Sequence, residues 1–273
     1  MTTHVNPETR SYQSLYEEFD SPLMSRLRSE AYGEDIGQHS WVTGDDLRRD
    51  VARLNLSKEG KVLDLGCGPC GPLTFIMNAV GCSGYGLDLS SAALAAGRRR
   101  AASLAIADRL VVKETDLDSD LSLVPCAFDA AISFDVVLHL RDRRRVFREL
   151  ARALVPRGRF LFTDAAVVSG SISSEEVATR SMHGFAQYCA PGFNERTLEC
   201  SGFIVLEIED RTQSLLKNAQ GRLEARKRYQ RDFEQLEGPA GFAQYQAYLQ
   251  SIISMAERTS LSRIMYLAEA RPA

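Results

Sequence analysis

No apolar run in this 273-residue chain approaches the roughly 18 residues that a membrane-crossing helix needs. Helical membrane spans are therefore not expected. The first ten residues, MTTHVNPETR, lack the basic and apolar regions of a secretory signal, so the expectation is a protein that stays in the cytoplasm. Excess positive charge is missing too. The formal net charge is -3, whereas a nucleic-acid binder needs phosphate-neutralising basic surface. Two local basic runs, Arg98-Arg99-Arg100 and 141–145, fall beside expected helices and read as solvated faces. The cysteines at 67, 70, 82, 126, 189 and 200 show no disulfide-like pattern, which fits a reducing compartment. Cys67 and Cys70 have a metal-like spacing, but no second ligand pair accompanies them, so no metal is expected. No repeat, low-complexity tract or Pro/Gly/Ser linker divides the chain.

What is present changes texture along the sequence. Residues 1–57 are polar and helical in period. From Lys61 to about Asp164 short apolar runs alternate with longer amphipathic segments, the pattern of a parallel sheet covered by helices. Strands are expected at Lys61–Leu65, Gly84–Asp88, Leu110–Lys113, Phe128–Phe134 and Arg159–Thr163, with helices at Leu73–Ala79, Ser91–Leu104 and Arg143–Leu154. Pro156-Arg157-Gly158 stops the last helix. Phe203–Glu209 and Arg263–Ala270 complete seven strands, separated by a charged helical stretch from Leu215 to about Ala256. The expected fold class is α/β: a Rossmann-like, mostly parallel seven-stranded sheet with helices on both faces. Helical insertions are expected near 165–201 and 213–258.

The strongest chemical signal is Val62-Leu63-Asp64-Leu65-Gly66-Cys67-Gly68-Pro69-Cys70-Gly71, a buried strand running into a glycine-rich turn. Ligands of open α/β sheets bind at the carboxyl ends of the strands. Gly66 and Gly68 remove Cβ atoms that would hold a ligand off the backbone, and they tolerate positive φ. Tyr85-Gly86-Leu87-Asp88 then ends the second strand in a carboxylate about 20 residues further on, the placement for the two hydroxyls of a ribose. Asp88 can also cap the helix that starts at Ser90-Ser91. A nucleoside ligand follows, but Gly66, Gly68 and Gly71 have the dinucleotide spacing as well, so an NAD-linked oxidoreductase stays open at this point.

Asp64-Leu65-Gly66-Cys67-Gly68 resembles the D-x-G-x-G motif of class I S-adenosylmethionine-dependent methyltransferases, and the NAD fingerprint has no use for Asp64. The resemblance continues over nearly the whole chain. Thr115-Asp116-Leu117 is similar to the motif beside the adenine and 128–140 to the fourth-strand motif. Leu154-Val155-Pro156-Arg157-Gly158 is similar to the L-x-P-G-G turn, with Arg157 where the family has glycine. The resemblance implies S-adenosylmethionine as cofactor and Asp64, Gly66, Cys67, Gly68, Asp88, Leu89, Asp116, Leu117 and Phe134 among its neighbours, with Asp116 toward the adenine amino group. Within the class, 32–40 is similar to a segment that folds over the cofactor in phosphoethanolamine and in glycine and sarcosine N-methyltransferases.

That likeness implies an N-terminal helical lid over 1–57 and a main domain over 58–273. It also puts Gln38 and Ser40 beside the cofactor and Tyr16, His39 and Trp41 beside the acceptor. Asp135-Val136-Val137-Leu138-His139-Leu140 reproduces a run that carries a histidine at the methyl-transfer site, where His139 either takes the nucleophile's proton or supports the cofactor. His183 and Tyr188, in the insertion after the fifth strand, are further acceptor candidates. Thr163-Asp164 is followed by Ala165-Ala166 rather than the tyrosine of the phosphobase enzymes, which speaks against a phosphobase. The implied reaction is methyl transfer to a nitrogen or oxygen of a small molecule, without metal. Transfer to an activated carbon and a non-catalytic cofactor-binding regulator are the alternatives, and the sequence gives no oligomeric state.

Overall fold

The computed structural model describes residues 16–119, 121–182 and 184–272. Two helices, α1 (Pro22–Tyr32) and α2 (Gly44–Leu54), precede the alternating region β1 (Lys61–Leu65), α3 (Gly71–Val80), β2 (Ser83–Asp88), α4 (Ser91–Ser103), β3 (Leu110–Glu114), β4 (Phe128–Phe134), α5 (Arg143–Ala153) and β5 (Leu154–Val168). Helices α6 (Ser174–Arg180) and α7 (Phe193–Glu199), strand β6 (Phe203–Asp210), helices α8 (Thr212–Arg228) and α9 (Gln230–Glu257) and strand β7 (Leu261–Ala270) complete it.

The sheet runs β3-β2-β1-β4-β5-β7-β6, all parallel except β7, which lies antiparallel to both its neighbours. Strand order reverses between β1 and β4, and there the connecting chains leave in opposite directions and open a crevice. Alternate residues of β1 feed two cores. Leu63 and Leu65 pack with Phe147, Leu150, Phe160 and Phe162 on the α5 face, and Val62 packs with Leu73, Ile76 and Leu94 on the α3 and α4 face. Both faces are buried, so the central strands read as continuous apolar runs.

A third layer closes the crevice. Leu215, Ala219, Tyr248, Leu249 and Ile252 of α8 and α9 pack with Trp41 and Ala165, and Leu27 of α1 packs with Ala225, Phe233 and Phe242. At the α1–α8 crossing Gly221 abuts the backbone of Ala31, where a Cβ would stand 2.7 Å from the carbonyl oxygen. The segment 33–41 is thereby tied to the insertion between β6 and β7.

Two details differ from the sequence expectation and a third adds to it. β5 extends to Val168, so the first insertion starts later than 165, because β7 continues to pair with it past a bulge. The charged stretch forms two helices, and the second is broken at Gly238, with φ 78°, just before Pro239. Arg157 adopts φ 65°, the left-handed conformation its glycine counterpart would take without cost.

Candidate active site

β1 ends at Leu65 and its chain turns through Gly66 (φ 75°) and Gly68 (φ 52°) into α3. Both conformations strain a residue with a side chain. The turn is fastened from β2: Gly66 N–H and Cys67 N–H donate to the Leu87 carbonyl, and Gly68 N–H donates to Asp88 Oδ2 at 2.8 Å. The other Asp88 oxygen accepts from Ser90 N–H at 2.9 Å. Asp88 thus shapes the loop and the start of the α4 cap while facing the cavity beside it. Burial raises its pKa, and the backbone hydrogen bonds oppose that rise.

The cavity holds about 550 Å³. Asp64, Gly66, Cys67, Gly68, Asp88, Leu89, Asp116, Leu117 and Phe134 line one end. Tyr16, His39, Trp41 and His139 line it as well. Two residues expected at the site are not among those that line this cavity. Gln38 does not line the cavity: its amide is turned inward, accepting from Ile36 N–H and donating to the Glu34 carbonyl, and it shapes its own loop. Tyr188 does not line it either, because its hydroxyl is engaged with Ser181 and the Val177 carbonyl of α6. His183 lies outside the described residues.

Several buried polar atoms facing this space have no hydrogen-bond partner: Asp64 Oδ2, Ser40 Oγ and Thr115 Oγ1. An orphaned buried carboxylate oxygen is costly. Burial, and then the charge of Asp88, push the Asp64 pKa well up. A cationic ammonium is the group that would satisfy it. A ligand with a ribose for Asp88, an ammonium for Asp64 and a flat ring at the Asp116 end fits these residues, and S-adenosylmethionine has all three parts. The two sulfurs of Cys67 and Cys70 pack against the Gly68 carbonyl inside the turn, and among the described residues no group of three or more side chains suits a metal ion.

The third glycine serves a different purpose from that in a dinucleotide site. A Cβ at Gly71 would run into the carbonyl of Gly37, so the segment 36–37 lies directly on the first turn of α3, where a pyrophosphate would have to sit. The segment is held from several sides. Trp41 N–H donates to Asp135 Oδ2 at 2.8 Å, and Asp135 Oδ1 accepts from Thr163 and from the fully buried Arg263. Asn218 of α8 donates to the Trp41 carbonyl. One turn further along, Arg222 donates to the carbonyls of His39 and Ser40 while its guanidinium lies 4.4 Å from the centre of the Trp41 ring.

The opposite end of the cavity is lined by Leu138, His139, Arg180, Phe185, Arg222, Tyr245 and Tyr248. Arg180, Arg222, Tyr245 and Tyr248 were not singled out in the sequence. They sit in stretches whose charge reads as solvent-facing, and the one available signal was Asn218 and Arg222 four residues apart on the same face as Leu215 and Ala219. His139 Nδ1 lies 2.8 Å from the Phe185 carbonyl. A carbonyl only accepts, so Nδ1 carries the proton and Nε2 is the basic nitrogen. Burial lowers the His139 pKa, which keeps the ring neutral at pH 7.

Residues 63–160 match a family model described as a methyltransferase domain. The chain is 29% identical over 182 residues to a glycine/sarcosine/dimethylglycine N-methyltransferase of Actinopolyspora halophila, covering 67% of this chain and 32% of that protein. It is 34% identical over 164 residues to the methyltransferase GfsG of Streptomyces halstedii, covering 58% of each. The match therefore spans about a third to three fifths of these relatives' length. The fold is similar to that of phosphoethanolamine N-methyltransferase 2 of Haemonchus contortus, solved with phosphomonomethylethanolamine and S-adenosylhomocysteine: the TM-score is 0.77 at 20% identity, over 94% of this chain and 60% of that one. No helix among the described residues is long and apolar enough to cross a membrane. Residues 63–160 thus match a methyltransferase domain, and the fold that surrounds them is the Rossmann-like one of that solved methyltransferase.

Proposed function

We propose that this chain transfers a methyl group to a nitrogen or oxygen of a small-molecule acceptor, with His139 as the base that receives the acceptor's proton. The observation that carries the reading is the placement of a neutral imidazole, with its Nδ1 proton committed to Phe185, on the cavity that also holds the glycine turn and Asp88. S-adenosylmethionine supplies a methyl carbon made electrophilic by its sulfonium. The residues of the chain then hold the partners in line and exclude water. Gly66, Gly68 and Asp88 fix the ribose, Asp64 and Ser40 take the amino-acid end, and Asp116 faces the adenine. His139 Nε2 takes the proton released when the nucleophile forms its new bond. The resulting imidazolium still donates through Nδ1 to the Phe185 carbonyl, so the charged state keeps its orientation.

Residues 1–57 act as the lid of this site and the helices after β5 and β6 as its caps. The activities named for the relatives support an acceptor of metabolite size. Cationic Arg180 and Arg222 beside Tyr245 and Tyr248 favour an acceptor with an acidic or strongly polar group. The test is release of S-adenosylhomocysteine by the full chain from S-adenosylmethionine and a panel of small amines, amino acids, phenols and hydroxy acids. With the best acceptor, His139→Gln is expected to lower kcat by about 10²–10⁴-fold while S-adenosylhomocysteine affinity changes little. Normal turnover in that variant removes His139 as the base, and failure to bind S-adenosylhomocysteine in calorimetry removes the reading altogether.

A further inference from the structure

The insertion after β5 crosses the ends of β4 and β5 as a strap, and its attachment is unusually specific. Gln187 N–H donates to the Leu138 carbonyl at 2.7 Å, directly beside His139. Cys189 N–H donates to the Ala166 carbonyl, and Val168 N–H to the Cys189 carbonyl. These bonds fix the path of the strap along β5. A buried side chain fixes its height: Arg143, the first residue of α5, is 2% exposed. Its Nη1 donates to Asp164 Oδ2 at 2.7 Å and to Asn194 Oδ1 at 2.8 Å, while its Nη2 donates to the Gln187 carbonyl at 2.8 Å. Asn194 in turn donates to the same Asp164 oxygen at 2.9 Å. Asp164 is fully buried within β5, beside the bulge that interrupts its pairing with β7, and its second oxygen accepts from Ala166 N–H. Two residues before Gln187 stands Phe185, whose carbonyl takes the Nδ1 proton of His139.

We infer that Arg143 is a positioning residue for His139: by holding the Gln187 carbonyl with one arm and Asp164 with the other, it sets the Phe185 carbonyl that selects the Nδ1–H tautomer and leaves Nε2 basic. The inference rests on the proposed role of His139 for its importance, but not for its test. A planar guanidinium offers donors in a fixed fork, which is what two acceptors on different segments require. A lysine at the same place keeps the charge opposite Asp164 and has no second fixed arm for the strap. The Arg143–Asp164 pair thus does more than neutralise a buried charge, because its orientation is relayed through three residues of backbone to an imidazole.

The experiment reads the tautomer directly, with no acceptor present. Long-range ¹H–¹⁵N correlation spectra of the full chain labelled with ¹⁵N-histidine give the protonation of each ring nitrogen, and the His139 signals are those lost in His139→Gln. The wild type is expected to show Nδ1 protonated and Nε2 without a proton. In Arg143→Lys the Nδ1–H to Nε2–H ratio is expected to fall about threefold to tenfold, the equivalent of one neutral hydrogen bond. Arg211→Lys, which alters the equally buried ion pair with Asp50 of α2, is expected to leave the ratio unchanged. If Arg143→Lys does not fold, the neutral pair Arg143→Gln with Asp164→Asn carries the same readout. An unchanged ratio at position 143, or an equal change in Arg211→Lys, overturns the inference. Because no turnover is measured, a failure of His139 as the base shows only in the activity of His139→Gln, and the two failures are separate results.

Discussion

Replacing Gly71 by alanine adds one methyl group at the first residue of α3, at a point where φ is not positive and the helix gains rather than loses propensity. Nothing in the strand or the glycine turn opposes the change. The nearest obstacles are the Gly37 carbonyl, which a Cβ would overlap, and the Ile36 carbonyl at 2.6 Å. Both belong to backbone, so neither can rotate aside as a long side chain would. Overpacking of this kind costs about 1–3 kcal/mol. Relief comes by lifting 36–37 away from the turn, which draws on the same contacts that position Ser40 and Trp41 over the cavity. If that segment closes over the cofactor, Gly71→Ala weakens S-adenosylhomocysteine binding by about 5- to 150-fold, the same 1–3 kcal/mol expressed as affinity. Calorimetric titration measures it. Wild-type affinity in a folded Gly71→Ala protein would show that the segment plays no part in holding the cofactor, and would reopen the older reading of the third glycine as a pyrophosphate contact.

Two further outcomes follow from local chemistry. Burial, aided by the charge of Arg28, lowers the His39 pKa from 6.5 to about 4, so the unfolded chain binds more protons between those values and stability falls as pH drops from 6.5 toward 4. The loss reaches at most about 3 kcal/mol, and His39→Gln should flatten that part of the profile; parallel melting-temperature curves for the two proteins across pH 7.5 to 4.5 refute the assignment. Arg157→Gly should raise stability by about 0.5–1 kcal/mol, because glycine accepts the left-handed conformation at a cost in chain entropy smaller than the strain removed. Urea denaturation checks it, and a lower midpoint contradicts the strain argument.

The parts of the molecule that were legible in the sequence are those where local pattern and tertiary position coincide. β1, β4 and the helix from Arg143 appear where the apolar runs and the turn at Pro156 put them, because burial on both faces leaves those segments no other register. The proposed cofactor end of the site is equally local, since Asp64 to Gly68 and Asp88 are strand ends and turns whose chemistry is written in consecutive residues. Gln38 and Tyr188 are absent from the cavity lining for a common reason. Each carries a polar group that looks available in sequence, and each spends it on the backbone of its own loop or helix, an outcome decided by which carbonyl lies within reach after folding.

The acceptor end follows the opposite rule. Its walls come from 39–41, from the strap at 184–186 and from Arg222, Tyr245 and Tyr248, segments far apart in the chain that are held together in part by Asn218, Arg222, Asp135 and Arg143. Each of those four residues engages backbone, so the frame is built from residues other than Phe185, Tyr245 and Tyr248. Substitutions at Phe185, Tyr245 or Tyr248 can therefore reshape the acceptor pocket without disturbing the glycine turn or Asp88. A fold arranged in this way keeps one cofactor while its acceptor changes. That is why the motif at the end of β1 reads so clearly and the acceptor has to be sought by assay, beginning with molecules that carry a group for Arg180 and Arg222.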